Sequence, residues 1–351
     1  MDYKAIADKV LDMLRHADGN DPSNGHLTMD NWEWPTGVAL YGIYKTWQQT
    51  GDRAILDYLR GWYDDWLSRP EQPHKNVNTV APVLALTCLY EETREERYLE
   101  AIEGWIDWVM KEMPRTEFDG LQHCTVWNKH YQQLWCDTLF MTCLFLAKAG
   151  VTLNRPELIE EAEYQFLIHI RYLQDKITGL FYHGWTFDRR HNFANAFWAR
   201  GNAWFTAAAV ELYGITGRDN AAMRMIRAAW LDQVNALWKL QRVNGLFTTL
   251  LDVEETYCET SATAAIAYGV LTGVRRGWLP REKYYDMGML SANAVIDQID
   301  ETGAVQGVSG GTGMGHDLQH YKDIIVTPTA YGQGLTFLML TELMNGDPAQ
   351  A

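Results

Sequence analysis

The sequence predicts an all-α protein, an (α/α)6 barrel made of six helical hairpins. Helix-length apolar segments come in pairs, and each pair is split by a short turn rich in Gly, Pro, Asn or Asp. A second kind of loop, containing Gly before a short extended piece, recurs between pairs at roughly sixty-residue spacing. An open α-solenoid would show a similar pattern. No Pro- or Ser-rich linker interrupts the series, so we expect a single domain over residues 1–351.

The turn signals fix where each helix is expected to begin and end. Gly after a helix and Pro or Asp at the next start are the usual stop and start signals, as in Thr50-Gly51-Asp52 and Thr216-Gly217-Arg218-Asp219. The predicted helices cover residues 2–16, 36–50, 53–67, 79–93, 96–112, 132–149, 156–174, 198–215, 219–240, 257–276, 281–299 and 329–344.

In a closed ring the longer loops gather at one mouth, where a rigid scaffold commonly holds binding groups. These loops contain most of the unusual polar and aromatic residues of the chain. They are Trp32, Trp34, Asn76, Asn78, residues 123–130, residues 183–185 and residues 306–323.

Composition excludes several classes of function. The net charge of -15 argues against nucleic-acid binding, because phosphate contacts need clustered Lys and Arg. The five cysteines are scattered without a CxxC pair, so neither a disulfide framework nor a structural zinc site is expected. The amphipathic N-terminus does not look like a signal peptide, and no apolar run reaches membrane-spanning length. We therefore expect a soluble, cytoplasmic protein, while 15 Trp and 18 Tyr modestly favour a carbohydrate ligand.

Asp137 is the first candidate catalytic residue. It lies in LWCDTLFM, with apolar residues on both sides. A carboxylate in apolar surroundings is paired, hydrogen-bonded or protonated, and a protonated one can act as a general acid. Asp is also a favoured N-cap, and apolar residues follow Asp137 at helical spacing. The two interpretations are compatible, since a capping Asp at the mouth of a barrel can also be the catalyst.

The segment 179–204 is the second focus. Arg200 at a helix start opposes the helix dipole, which indicates another use, such as holding a ligand carboxylate in a bidentate pair. The alternative is an ion pair with a nearby Asp or Glu. His183 fits a ligand contact or a structural histidine equally well, and Trp198 and Trp204 taken singly are more typical of a core than of a sugar platform.

The Gly-rich segment 306–321 lacks the GK[ST] ending of a phosphate loop. It fits a loop that lines a pocket, or an ordinary long connection. His316 and His320 have the i, i+4 spacing of metal ligands, but the sequence shows no HExxH pattern or third ligand, so we expect no metal.

Taken together, these pieces resemble the unsaturated rhamnogalacturonyl hydrolases of glycoside hydrolase family 105, which are related to the unsaturated glucuronyl hydrolases of family 88. The matching pieces are LWCDTLFM around Asp137, FYHGW around His183, FWARGNAW at 197–204, ETSATAAIAYGVLTGV at 259–274 and GVSGGTG at 307–313. The resemblance implies an (α/α)6 barrel that needs no metal or cofactor. It also implies removal of a 4,5-unsaturated uronic acid from the non-reducing end of lyase-generated oligosaccharides.

The resemblance carries the general acid/base onto Asp137. It carries substrate contacts onto Trp135, His183, Trp198, Arg200 and Trp204. A second family Asp falls at Asn78, which can hydrogen-bond but cannot act as a base. A family His ahead of Trp135 is replaced by Gln132 or shifted to His130.

The resemblance also implies a mechanism in which Asp137 protonates C4 of the C4–C5 double bond and water adds at C5. One carboxylate can then serve as acid and base, unlike the usual glycosidase pair. Glycosaminoglycan-type fragments are an alternative substrate. A sugar epimerase or isomerase on a helical barrel, and a catalytically idle sugar-binding protein, are alternatives from other classes. Neither the oligomeric state nor the sugar next to the uronic acid follows from the sequence.

Overall fold

Helices dominate the computed structural model, which describes residues 1–17 and 26–347. The helices are α1 (Tyr3–His16), α2 (Trp34–Thr50), α3 (Arg53–Ser68), α4 (Val77–Thr93), α5 (Glu96–Lys111), α6 (Leu144–Thr152), α7 (Pro156–Leu173), α8 (Ala199–Thr216), α9 (Ala221–Leu240), α10 (Thr260–Arg275), α11 (Arg281–Ile296), α12 (Leu318–Lys322) and α13 (Ala330–Met344). A short 3-10 helix covers Glu117–Asp119, and a π-helical turn, Leu139–Cys143, leads into α6. The strands are β1 (Gln133–Trp135), β2 (Gly184–Thr186), β3 (Phe247–Thr248) and β4 (Cys258–Glu259).

Two kinds of helix alternate along the chain, and their sequences explain where each lies. In α13, every residue from Ala330 to Leu343 is buried, as expected of an inner helix surrounded by neighbours. In α1, only Ala7, Val10, Leu11 and Leu14 are buried, at the i, i+3, i+4, i+7 spacing of a helix with one covered face. The apolar helices therefore form the inner layer and the amphipathic helices form the outer one.

The inner helices close into a ring. They pack in the order α2, α4, α6, α8, α10 and α13, and α13 packs back against α2. Glycines allow this last approach: a Cβ added at Gly42 would lie 2.4 Å from the Gly334 carbonyl oxygen. Outer helices α3, α5, α7, α9 and α11 each pack on the preceding inner helix, and α1 packs on α13. The predicted (α/α)6 barrel is confirmed, and its sixth hairpin joins the first and last long helices of the described chain.

Two predicted helices are wrong at their starts. Residues 133–135 form β1 rather than helix, and helical structure begins only at Asp137. The predicted helix 257–276 likewise begins late, because residues 258–259 form β4, which pairs with β3. β1 pairs with β2, which is distant in the sequence, whereas β4 pairs with the nearby β3, and in both places these ladder hydrogen bonds outweigh local helical spacing.

The loops that precede the inner helices meet at one end of the barrel, which we call the mouth. The two short antiparallel sheets, β1 with β2 and β3 with β4, lie in these loops. Over residues 1–17 and 26–347, no helix is both long and apolar enough to cross a bilayer. That residues 1–351 form one domain stays a prediction.

Candidate active site

The pairing of β1 with β2 brings Asp137 and His183 together. Trp135 pairs with Gly184 in this ladder, and the Cys136 backbone N–H donates to the His183 carbonyl at 3.0 Å. His183 Nε2 consequently lies 3.4 Å from Asp137 Oδ2. Two residues that are forty-six positions apart in the sequence are thus fixed side by side by backbone hydrogen bonds rather than by their own side chains.

The surroundings of Asp137 are more polar than its sequence neighbours indicate. Burial alone would raise the pKa of Asp137, but His183, His123 and Arg200 together outweigh burial and hold that pKa below its usual value. Of the three states that the sequence left open for this carboxyl group, paired, hydrogen-bonded or protonated, the structure favours an ionised carboxylate in contact with His183. Within the described residues, Asp137 Oδ2 is buried without a hydrogen-bond partner, so the structure offers no support for the capping interpretation.

A pocket of about 200 Å³ opens beside Asp137 at the mouth. It is lined by Trp34, Asn78, His123, Thr125, Trp127, His130, Trp135, Asp137, Met141, Trp198, Arg200, Thr312 and Gly313. Six predicted site residues are among them: Asn78, His130, Trp135, Asp137, Trp198 and Arg200. The structure thus brings most of the predicted site to one surface, although their roles toward a substrate stay predictions.

Two predicted site residues lie one layer behind the pocket lining. The His183 side chain is buried and contacts both Asp137 and Trp198, whose ring lies 4.4 Å away, centroid to centroid. Trp204 is completely buried and packs edge-on against Trp34 at 6.1 Å. Trp204 therefore supports a pocket wall, and its predicted contact with substrate stays a prediction.

Stacked rings form another wall of the pocket. His123 lies flat on Trp135, with 4.0 Å between ring centroids and 7° between planes, and His130 lies 4.6 Å from the same indole. Burial lowers the pKa of His123 to about 3, so this ring is neutral at physiological pH. Gln132 instead directs its amide to the backbone of residues 115 and 117. Of the two predicted positions for the family His, His130 is therefore the one at the pocket.

Arg200 is held in place by the chain itself. Its guanidinium donates to the Ser309 and Gly310 carbonyls, both at 2.8 Å, and to the Ser309 hydroxyl. It also lies 3.8 Å from Glu259 Oε1 and 4.4 Å from the Trp198 ring. The alternative interpretation, an ion pair with a nearby acid, is confirmed. Arg200 still lines the pocket, so carboxylate binding by the same side chain stays a prediction.

The Gly-rich segment reaches the pocket through Thr312 and Gly313. His320 Nε2 lies 2.7 Å from Thr312 Oγ1, whereas the His316 ring packs edge-on against Phe193. The two histidines therefore face different neighbours. Across the ranges 1–17 and 26–347 there is no group of three His, Cys, Asp or Glu side chains arranged to hold a metal.

Asn78 has an acidic neighbour. Glu33, the residue just before α2, lies beside the Asn78 amide, and burial raises the pKa of Glu33 although Asn78 and the Trp34 N–H partly oppose this. The starts of α2 and α4 are held together by the Trp32 indole, which donates to the Thr79 carbonyl at 2.9 Å. A second carboxyl group thus lies behind Asn78.

Sequence reasoning missed several residues of the site. Trp34 and His123 were expected at the mouth but were not assigned to the site, and Trp127, which is 93% exposed, was not singled out. Tyr321 was also missed, and its hydroxyl lies 2.7 Å from His183 Nδ1. His183 and Tyr321 are 138 positions apart in the sequence, so only the folded structure shows that they are in contact.

The electrostatics of the pocket favour an anionic ligand with an apolar face. The helices α2, α4 and α8 begin at its rim, with Trp34, Asn78 and Arg200 in their first turns. Helix N-termini carry partial positive charge, and Arg200 adds a full one. Indole rings supply flat apolar walls suited to the faces of sugar rings. Asp137 with His183 provides a group that can exchange a proton with a bound molecule.

Comparisons with known proteins agree with this geometry. The chain is 30% identical over 317 residues to the unsaturated rhamnogalacturonyl hydrolase YesR of Bacillus subtilis strain 168, covering 89% of this chain and 90% of the relative. A possible member of the GH105 family from Salmonella enterica serovar Paratyphi A superposes with a TM-score of 0.94 at 42% identity, over 98% of this chain and 93% of that one.

A more distant structure supports the fold alone. The unsaturated glucuronyl hydrolase of Bacillus sp. GL1 is 17% identical, with a TM-score of 0.73 over 98% of this chain and 95% of that one. The model of Glycosyl Hydrolase Family 88 matches residues 7–345, nearly the whole length. With this match, and with a relative of 30% identity across most of both chains, the protein belongs to Glycosyl Hydrolase Family 88.

Proposed function

We propose that this glycoside hydrolase releases a 4,5-unsaturated uronic acid from the non-reducing end of pectin- or rhamnogalacturonan-type oligosaccharides left by polysaccharide lyases. The observation that carries the proposal is the Asp137–His183 pair at an aromatic, cationic pocket. The named activity of the Bacillus subtilis relative supports the choice of substrate class.

The substrate needs little from the protein beyond one proton donor. Its C4–C5 double bond is an enol ether, so protonation at C4 creates an oxocarbenium centre at C5. Water then adds at C5, the hemiketal opens to a ketone, and the rest of the oligosaccharide leaves from C1. Asp137 serves first as acid, and its carboxylate then accepts a proton from the attacking water.

The pKa of Asp137 is lowered in the free protein, and it has to rise when substrate binds before Asp137 can act as an acid. The substrate brings its own carboxylate, and a like charge nearby disfavours ionisation of Asp137 and raises its pKa. Closing the pocket over the sugar also removes water from Asp137, which acts in the same direction. The bound substrate therefore raises the pKa of the acid that the reaction needs. In the protein without substrate the pKa of Asp137 is lowered, so we expect kcat/KM to fall as pH rises between about 5 and 8.

The roles of the other site residues follow from their positions. Arg200 and the helix N-termini bind the substrate carboxylate, while Trp135 and Trp198 face the ring. His130 and Asn78 hydrogen-bond hydroxyl groups. Asn78 cannot act as a base, and Glu33 does not line the pocket, so Asp137 is the carboxylate at the described pocket that can carry both proton transfers.

Isotopic labelling tests the reaction. Turnover is followed by loss of the ultraviolet absorbance of the unsaturated uronide. In heavy-oxygen water the label is expected first at C5, and in deuterated water one deuterium is expected at C4, from a single face. Early time points are needed because a ketone exchanges its oxygen and neighbouring hydrogens with solvent. Early product labelled at C1 without deuterium at C4 would overturn the hydration mechanism.

A substrate panel tests the specificity. Lyase products of several pectins and of glycosaminoglycans are compared at equal concentration by the same absorbance change. The proposal expects the highest kcat/KM on a pectin-type fragment. A higher value on a glycosaminoglycan fragment would reassign the substrate while leaving the chemistry unchanged.

A further inference from the structure

A buried hydrogen-bond chain runs from the Gly-rich segment to Asp137. The Gly315 N–H donates to the Tyr321 hydroxyl oxygen at 3.2 Å, and that hydroxyl lies 2.7 Å from His183 Nδ1. On the other side of the ring, His183 Nε2 lies 3.4 Å from Asp137 Oδ2. Tyr321 and His183 are both buried, so within the described residues water has little access to the chain between its ends.

The hydroxyl hydrogen of Tyr321 has two acceptors within reach. One is His183 Nδ1 and the other is Met314 Sδ, at 3.8 Å. A thioether sulfur is a weak acceptor and an imidazole nitrogen is a strong one. Since the hydroxyl oxygen already accepts from Gly315, donation to Nδ1 satisfies all three groups.

This direction of donation fixes the tautomer of His183. A neutral imidazole carries one proton, so an Nδ1 that accepts from Tyr321 leaves the proton on Nε2. That N–H faces Asp137 Oδ2, an oxygen with no other hydrogen-bond partner in the described residues. The opposite tautomer would turn the Nε2 lone pair toward a carboxylate, which is repulsive.

We propose that Tyr321 is a positioning residue that holds His183 in the Nε2–H tautomer, so that His183 stabilises the negative charge that Asp137 acquires when it delivers its proton. No bond of the substrate is made or broken by Tyr321. Preorganised donors aimed at developing charge are among the largest contributors to enzymatic rate. The proposal rests on the proposed function for its effect on rate, whereas its claim about the tautomer does not.

Other titratable or charged groups surround this hydrogen-bond chain, and their charges affect the ionisation of Asp137 at its end. Those that face Asp137, His183 or Tyr321 are His123, Cys136, Arg200 and His320, while His130 and His169 lie near His123 and Glu259 lies beside Arg200. Burial keeps His123 neutral, and burial raises the pKa of the Cys136 thiol, so neither changes charge near neutral pH. Arg200 keeps its charge throughout.

Nitrogen NMR on the free protein tests the tautomer directly. The protein is labelled with 15N-histidine, and the His183 signals are identified by their loss in His183→Gln. In the parent, His183 is expected to carry its proton on Nε2 near neutral pH. In Tyr321→Phe, the Nδ1–H form is expected to gain population because its former donor is gone. A parent with Nδ1–H, a doubly protonated ring, or a tautomer unchanged by Tyr321→Phe would each overturn the proposal.

Kinetics test the consequence. Tyr321→Phe is expected to lower kcat by about tenfold or more with KM changed by less than about threefold, since only the stabilisation of charge in the transition state is lost. The pKa of Asp137 should rise, so the decline of kcat/KM with pH should begin at a higher pH than in the parent. A fall in kcat with an unshifted pH profile would assign Tyr321 to structure alone and overturn the proposal.

Tyr63→Phe is the matched control. The Tyr63 hydroxyl is also buried, and it donates to the Pro82 carbonyl at 2.7 Å, away from the pocket lining. This variant should keep both the tautomer of His183 and the pH profile of the parent. If the parent shows the expected tautomer but no unsaturated uronide is turned over, the proposed function fails while the inference about Tyr321 stands.

Discussion

Two carboxylates of the barrel, Asp137 and Glu211, have contrasting surroundings. At the mouth, Asp137 Oδ2 has His183 Nε2 as its polar neighbour, at 3.4 Å, and has no shorter hydrogen bond within the described residues. Toward the other end of the barrel, Glu211 on α8 accepts from the Tyr41 and Tyr268 hydroxyls and lies 3.4 Å from Lys45 Nζ. Both acids have a pKa below the usual value, because charged or hydrogen-bonding neighbours outweigh burial.

The contrast separates the proposed catalytic acid, Asp137, from a structural one, Glu211. Buried polar atoms in folded proteins nearly always have partners, so an atom without one needs an explanation. At the mouth the unpartnered atoms cluster: Asp137 Oδ2, His183 Nε2, Trp198 Nε1 and Arg200 Nε. The Glu211 network has no such atom among the described residues. The unpaired Trp198 and Arg200 N–H groups around Asp137 suit hydrogen bonds to the proposed substrate, whereas the oxygens of Glu211 are occupied within the fold.

The largest effect is expected from Asp137→Asn. Turnover of unsaturated uronides should fall by about a thousandfold or more, because Asn cannot supply the proton. The thermal midpoint should fall less than in Glu211→Gln, because Asp137 has one contact of 3.4 Å to His183 to lose, whereas Glu211 has two hydroxyl donors and Lys45. Absorbance assays and calorimetry measure the two quantities. Activity within about tenfold of the parent would remove Asp137 from the acid role.

Arg200→Ala, made in the Asp137→Asn background, should weaken substrate binding by about ten- to a hundredfold, the usual value of a hydrogen bond to a charged group. Calorimetric titration measures the Kd. Stability should fall as well, because Glu259 loses its cation and residues 309 and 310 lose a donor.

Arg275→Ala is the control for Arg200→Ala. Arg275 pairs in two-point contact with Glu342 on α13, at 2.6 and 2.7 Å, outside the pocket lining. Its loss should cost stability without changing Kd. Equal loss of affinity in both variants would show that Arg200 acts on binding only through the fold.

Glu211→Gln should show the reverse of Asp137→Asn. The free energy of unfolding should drop by about 1–3 kcal/mol, because the tyrosine hydroxyls and Lys45 lose a charged acceptor. Activity at a temperature where the variant stays folded should remain near that of the parent. Chemical denaturation and the absorbance assay give the two values, and a large loss of kcat with unchanged stability would contradict the comparison.

The smallest expected effect is the pH dependence of that stability difference. The folded-state pKa of Glu211 is below its ordinary value of 4.5, so Glu211 contributes stability above the unfolded pKa and loses it as pH falls through the folded one. The gap between the parent and Glu211→Gln should therefore be full at neutral pH and shrink on acidification. Denaturation at several pH values measures it, and a gap that grows with acid would show that Glu211 is protonated in the fold.

Local signals made the fold predictable. Turns such as Thr50-Gly51-Asp52 end and start helices through backbone conformation and capping, which depend on a few neighbouring residues. Most helix limits therefore came out within a few residues. The start at 132 failed because β1 pairs with β2, and no local pattern encodes that partner.

The sequence predicted most of the residues that lie at the pocket, but it did not predict which residues surround them in space. Motifs around Asp137 and Arg200 pointed to residues most of which line one pocket, and family membership favours a hydrolase over an epimerase. The sequence around Asp137 is apolar, yet its spatial neighbours are histidines from two other loops. Arg200 bonds to residues 109 and 110 positions away, and its ion pair could be stated only as an alternative. Contacts of this kind depend on the closed ring.

The pairing of α1 with α13 has a consequence during synthesis on the ribosome. Gln333 reaches the Val10 carbonyl across 323 positions, and Lys9 reaches the Asp300 carbonyl across 291. The apolar stripe of α1 therefore leaves the ribosome long before the surface that covers it exists. Contacts between residues this distant in the sequence form late, and proteins that depend on such contacts fold slowly. Until α13 emerges, the apolar stripe of α1 lacks that cover, and the barrel closes only after α13 has been synthesised.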